Sequence, residues 1–443
     1  MSEPADRAPL APKHNGVPLV GSAVTFARDP YELYQRLGET GDVVRFSMGT
    51  YDMATVLHPD GIRQVLVEDD AAYEKPDGPG VDVLSDGLLL TDGDRWQRQR
   101  SRLQPLFYRE RVATYAETMA TYAAAAADEW ATSDAVPVED VASRYTLRVL
   151  GKTLLGAETA DQHAAVRAGA EAIRERTSEN PVAVSVPDWL PTPANLRYRR
   201  GIERLDGVVE ELLADADDSG KDLLSLLVAA SEDDPDGPSE AEVRSQVVTF
   251  LFAGHETTAT ALTWALYELG RNPAVASRLQ AEVDAVVDSG RATLGDLPAL
   301  SYTEQVVREV LRRYPPASAV FRETREPVVV DGSRLPEGTF VTLPQFHVHI
   351  DERWWDDPMT FDPSRWDDIT DPPGDGRPEY AYFPFGGGPR HCIGMRFARM
   401  ELRLALATIA ARTTVNHDHD GVGVDIGSTT RPEETVRATF ETR

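Results

Sequence analysis

The stretch Phe385-Gly-Gly-Gly-Pro-Arg-His-Cys392-Ile-Gly394 carries the only cysteine of a 443-residue chain. It reads as a Gly-rich loop entering a final helix near Cys392, because Ile393, Phe397, Met400 and Leu404 recur at helical spacing. A helix start favours a thiolate over a thiol, since free amides and the helix dipole stabilise negative charge on sulfur. Glycines at 386, 387, 388 and 394 let backbone approach a flat ligand closely. Arg390 can meet a carboxylate two residues from the sulfur, and Phe385 can shield it from water. One cysteine excludes an internal disulfide and any multi-cysteine zinc or iron–sulfur site. Taken singly, the cysteine could be a small buried hydrophobe and the loop a phosphate cradle.

The whole order Phe-x-x-Gly-x-Arg-x-Cys-x-Gly resembles the haem loop of the cytochrome P450 family. The resemblance implies a mainly α fold with a small β portion, a triangular prism-shaped single domain over residues 1–443 with no fused reductase. It implies haem b as cofactor and Cys392 as the iron ligand, a thiolate that favours O–O cleavage. Phe385 and Arg390 are the matching cofactor-binding positions.

Residues 240–272 form the longest helical pattern, apolar on most faces, and imply a helix crossing the core. Ala253-Gly-His-Glu-Thr-Thr258 interrupts it with polar groups, whose burial without a purpose would cost free energy. Gly254 and Thr257 weaken the regular backbone ladder, because a Thr hydroxyl competes for a carbonyl. By resemblance this is the family's distal helix, with Glu256 and Thr257 as the catalytic acid–alcohol pair that delivers protons. His255 reads as a satisfied structural histidine.

Glu309 and Arg312 stand at i, i+3 on one helix face, and Phe361-Asp-Pro-Ser-Arg365-Trp366 follows. The pair resembles the family's Glu-x-x-Arg, so Glu309, Arg312 and Arg365 are expected to form a structural clamp; Ser364 and Trp366 replace the usual glutamate and phenylalanine. Trp96 and Arg100, at i, i+4, match the family's Trp-x-x-x-Arg, which binds a haem propionate, and Arg322 matches a third propionate position.

The net charge of −28 and the use of only four lysines (Lys13, Lys75, Lys152, Lys221) disfavour a nucleic-acid partner and point to adaptation to high salt. With no membrane-length apolar run and a polar, Pro-rich segment at 1–20, a cytoplasmic protein without a membrane anchor is expected. Strands are expected at 43–48, 53–57 and within 328–341, and a hairpin over 429–442. Helices are expected at 95–107, 113–130, 143–155, 162–179, 202–216, 223–230 and 302–314, with a loop at 181–194 and an acidic connection at 231–239.

The resemblance implies insertion of one oxygen atom from O2 into an apolar small-molecule substrate, a fatty acid, an isoprenoid or a carotenoid-like molecule. Electrons would come from a separate ferredoxin- or flavodoxin-type donor. Arg98, Arg102, Arg396 and Arg399 could give that donor a basic docking face. Candidate pocket segments are 81–90, 247–253, 317–321 and 428–430. A peroxide-driven peroxygenase or a non-catalytic haem sensor are the competing functions.

Overall fold

The computed structural model describes residues 8–17, 20–49, 51–76, 82–177, 190–216, 222–233, 237–369, 376–419 and 421–443. The fold is mainly helical with a small sheet portion. Ala116–Ala131, Val138–Leu154, His255–Arg271 and Met395–Arg412 pack into one apolar core that takes in Trp130, Trp264 and Phe397. Ala116–Ala131 forms a helix because alanine loses no side-chain entropy on ordering; Met119, Ala123, Ala127 and Trp130 are its buried stripe.

The main sheet runs in the order Val43–Met48, Tyr51–Val56, Phe340–Pro344, Ala319–Thr324, Tyr73–Glu74. Tyr51–Val56 and Phe340–Pro344 are parallel; the other neighbours are antiparallel. Val328–Val330 and Ser333–Leu335 form the expected small hairpin, with Asp331 and Gly332 at positive φ in its turn.

The long helix is one rod in three parts: α-helical Glu240–Thr249, a π-helical turn at Phe250–Gly254, and α-helical His255–Arg271. The helix expected at 202–216 starts earlier than its periodicity implies, at Pro193, because Thr192 Oγ1 accepts from Asn195 N at 3.2 Å and Pro193 suits the first turn. Pro273–Val286 is a helix that the periodicity did not single out, again opened by proline. Of the expected 181–194 loop, 181–189 lie outside the described residues, as do 234–236 of the acidic connection.

The expected 429–442 hairpin is corrected. Thr430–Pro432 pairs with Val424–Ile426, whereas Arg437–Thr442 pairs with Thr413–Asn416 and Val136–Pro137. Glu433 N still donates to Gly423 O at 2.9 Å across this pair; beyond it the chain leaves for the other sheet, which it joins at Arg437.

Candidate active site

The Cys392 loop is held by its own backbone. Cys392 N donates to Phe385 O at 2.9 Å, one 3-10 turn covers Gly388–Arg390, and the helix proper begins at Met395, three residues after the cysteine. Gly388 has φ +62°, and a Cβ there would collide with the Leu66 carbonyl oxygen. The loop therefore lies flush on the Gln64–Glu68 turn as only glycine allows.

Two observations on Cys392 pull in opposite directions. Its side chain is exposed, yet enough protein surrounds it for burial to raise the thiol pKa, against the opposing pull of the Gly394 amide and Arg100. Both hold when the sulfur faces an internal space rather than the outer surface. The long helix behaves alike: from 255 to 269 it is buried except at Thr257, and Phe252, Ala253 and Gly254 are also half-buried. Thr257 Oγ1 donates to Ala253 O at 2.8 Å, the competition expected at the weakened ladder, and the π turn lies immediately before it. Phe107 joins the two regions, stacking on Phe250 with centroids 5.8 Å apart and lying 3.9 Å from where a Gly394 Cβ would stand.

Cations gather beside the loop. Arg100 donates to His391 O at 2.9 Å. Arg390 meets Asp92 at 2.6 Å, donates to Thr91 O at 3.0 Å, and lies 4.5 Å from the Trp96 ring centre. Arg322 is buried on strand Ala319–Thr324; Nη1 donates to Phe321 O, while Nε is buried with no hydrogen-bond partner. Lys75 joins them, its pKa lowered to about 7 by burial and by Arg322 and Arg390. Burial also holds Arg322 down to about 10. Asp92 is the carboxylate set against this group; burial opposes its charge, but the amides of Lys75 and Gly93 with Arg390 and Arg325 hold its pKa below the usual carboxylate value.

A sequence profile of the family described as cytochrome P450 matches residues 11–433. The chain belongs to the cytochrome P450 family. It is 35% identical over 419 residues to cyclooctatin synthase of Streptomyces melanosporofaciens, covering 90% of this chain and 88% of the relative. It is 34% identical over 433 residues to pentalenene oxygenase of Streptomyces avermitilis, covering 95% and 94%. Cyclooctat-9-en-7-ol 5-monooxygenase of S. melanosporofaciens is 32% identical over 413 residues, covering 89% and 87%. This P450 is thus a monooxygenase of a haem-dependent family.

The residues present fit that cofactor: a sulfur facing an internal space, and cations around it that include an unpartnered buried guanidinium nitrogen. No helix among the described residues is long and apolar enough to cross a membrane.

The expected clamp is complete in this P450. Glu309 and Arg312 are fully buried, with Arg312 Nε 2.9 Å from Oε2 and Nη2 2.7 Å from Oε1. Asp362 N, Arg365 Nε and Trp366 Nε1 add bonds to the same carboxylate at 3.0, 3.3 and 3.0 Å. Trp366 thus does what phenylalanine could not, donating its indole N–H.

Glu256 is buried and faces the C-terminal strand pair: Arg431 Nη2 and Thr429 Oγ1 both donate to Oε1. Its pKa is raised by burial and pulled back by Arg431. His255 is buried, hydrogen-bonded through Nδ1 to Leu251 O, and kept neutral with a pKa lowered to about 4. Of the pocket segments, 428–430 and 317–321 meet through a bridge between Ala317 and Thr429, and Thr430 N donates to Pro316 O. Segment 82–90 is tied to the long helix by Ser245 Oγ to Val83 O and Leu88 N to Gln246 Oε1; Val81 lies outside the described residues.

The four arginines expected at a docking face differ in exposure and pairing. Arg98 and Arg396 are exposed, but Arg399 pairs with buried Glu304, which also draws Arg308 and Arg403, and Arg102 is half-buried. The sequence reading passed over Lys75, Asp92, His391 and Arg431. The rarity of lysine was the only signal for Lys75, and none marked the others, since folding over hundreds of residues brings them in.

Proposed function

We propose that this P450 oxygenates an apolar isoprenoid-type molecule, working as one catalytic unit over residues 1–443 in the cytoplasm of a salt-adapted prokaryote. Two relatives are named for oxygenating pentalenene and cyclooctat-9-en-7-ol, both built on hydrocarbon skeletons, which supports the substrate class. Haem b, when bound, supplies the one-electron and O2 chemistry. Cys392 would ligate its iron as thiolate, Phe385 would keep water off the sulfur, and Trp96, Arg100, Arg322 and Arg390 would meet its carboxylates.

The observation that carries this reading is the sulfur of Cys392, accessible although deep in the protein, with the half-buried stripe of Ala253, Gly254 and Thr257 on the helix joined to it through Phe107. Thr257 spends its hydroxyl proton on the Ala253 carbonyl and keeps its oxygen lone pairs free to hold a water or a proton. Glu256, one residue away, is a buried carboxyl whose pKa is raised by burial, which favours the protonated acid and its use as a proton donor. Arg98 and Arg396 remain as exposed cations for a ferredoxin- or flavodoxin-type donor.

The test is the spectrum of the reduced, CO-bound protein in high salt. A thiolate-ligated iron gives a strongly red-shifted band that Cys392→Ser abolishes; a band typical of histidine ligation overturns the reading. Labelled O2 then has to appear in the product of an isoprenoid hydrocarbon. Fast peroxide-driven turnover that Thr257→Ala leaves unchanged would favour the peroxygenase instead.

A further inference from the structure

Glu256 does not end in an isolated pocket. Its side chain is 5% exposed, that of Arg431 24% and that of Glu171 40%, so the ion pairs step outward from the buried acid to solvent. Arg431 Nη1 lies 3.2 Å from Glu171 Oε2 on helix His163–Thr177. Arg174 holds the other Glu171 oxygen at 2.6 Å and reaches Asp425 at 3.2 Å, and Asp425 is the ladder partner of Arg431. Arg431 therefore divides its guanidinium between an acid on the long helix and an acid on a different helix. Glu256 Oε2 is buried with no hydrogen-bond partner, so the hold on this carboxylate falls on Oε1 alone.

We propose that Arg431 is the positioning residue of Glu256, holding its Oε1 against the 430–432 strand and coupling the acid's charge state to Glu171 on the neighbouring helix. The contact between that helix and the strand then controls reprotonation. Glu256 that has given up a proton is left as a carboxylate balanced by Arg431, which has no lone pair to relay a proton, so the acid takes its replacement from water. The charged and titratable groups around Glu256 are Arg431 and Asp425 on the strand pair, Glu171, Arg174 and His163 on the neighbouring helix, Glu139 at the start of Val138–Leu154, and His255 on its own helix. Arg431 is the one among them that bonds the carboxylate.

The proposal rests on the reading of Glu256 as proton donor, and the experiment separates the two. Difference infrared spectroscopy of the holoenzyme follows the carboxylic C=O stretch of Glu256 against pH, the band being assigned by its loss in Glu256→Gln. Removing an adjacent opposite charge raises a carboxyl pKa by about one to three units, so Arg431→Gln moves the midpoint up by that much and Arg431→Lys restores most of it. Glu171→Gln moves it the other way, because Arg431 is then undivided and a nearby negative charge is gone. A general loosening of the site would move both variants in one direction. The proposal is overturned if Arg431→Gln and Glu171→Gln shift the band alike, or if neither shifts it. Reductant-driven product formation undiminished in Glu256→Gln removes the donor reading beneath it instead, whatever the infrared midpoints do.

Discussion

Replacing Glu309 by Gln keeps the side-chain shape and removes the charge at the centre of the clamp. The carboxylate accepts five hydrogen bonds from four residues: two from Arg312 and one each from the Asp362 amide, Arg365 and the Trp366 indole. A glutamine offers one acceptor oxygen and turns an NH2 toward some of these donors, so Arg312, which is fully buried, becomes a buried cation without its counter-charge. Breaking one partner out of a buried ion pair costs about 3–5 kcal/mol. Unfolding entropy of about 2.1 cal/mol/K per residue over 443 residues gives about 0.9 kcal/mol/K, so a loss of that size lowers Tm by about 3–6 °C. Scanning calorimetry in high salt, paired with haem content, reads both the shift and any loss of haem. A Glu309→Gln protein with an unchanged Tm and full haem content would refute the claim that this carboxylate holds Arg312, Arg365 and Trp366 together.

Glu401 is buried with one oxygen unpartnered, and burial alone raises its pKa well above the usual value. The folded chain keeps a proton there that the unfolded chain releases, so its contribution is intact below about pH 4.3 and lost as pH rises, by up to about 1.4 kcal/mol per pH unit. Glu401→Gln should match the wild type near pH 4.5 and melt progressively higher above it; parallel Tm curves from pH 5 to 8 would count against this. Both Gly386 (φ +68°) and Gly388 (φ +62°) strain an added Cβ, but Gly388→Ala should lose more haem, because its Cβ would also strike the Leu66 carbonyl, whereas that of Gly386→Ala would meet only Val320 at 3.7 Å. Equal haem stoichiometry in the two variants would contradict that ranking. The net charge of −28 predicts unfolding as salt is lowered from molar to millimolar, followed by circular dichroism; a melting point independent of salt would remove the argument for salt adaptation.

Local chemistry was legible in the sequence where it is written in adjacent residues. The Cys392 loop, the polar break at 253–258 and the Glu309–Arg312 pair each show up as a spacing, because a turn of helix or a Gly-rich loop places neighbours without outside help. The 429–442 segment was misread as a hairpin because alternation marks a strand but does not say which partner it pairs with. Pro193 and Pro273 open helices for a similar reason: proline punctuates the chain, and capping decides whether it stops or starts an element.

By itself, then, the sequence pointed to the haem-thiolate family, the iron-ligand candidate and the long helix that carries Thr257. Only tertiary structure decided the electrostatics: that Arg390 turns to Asp92, that Arg399 is consumed by Glu304, that Lys75 joins the cations and that Arg431 holds Glu256. Coulomb interaction and desolvation depend on distance and burial, and residues 175 apart in the chain, as Glu256 and Arg431 are, acquire those only when the backbone folds.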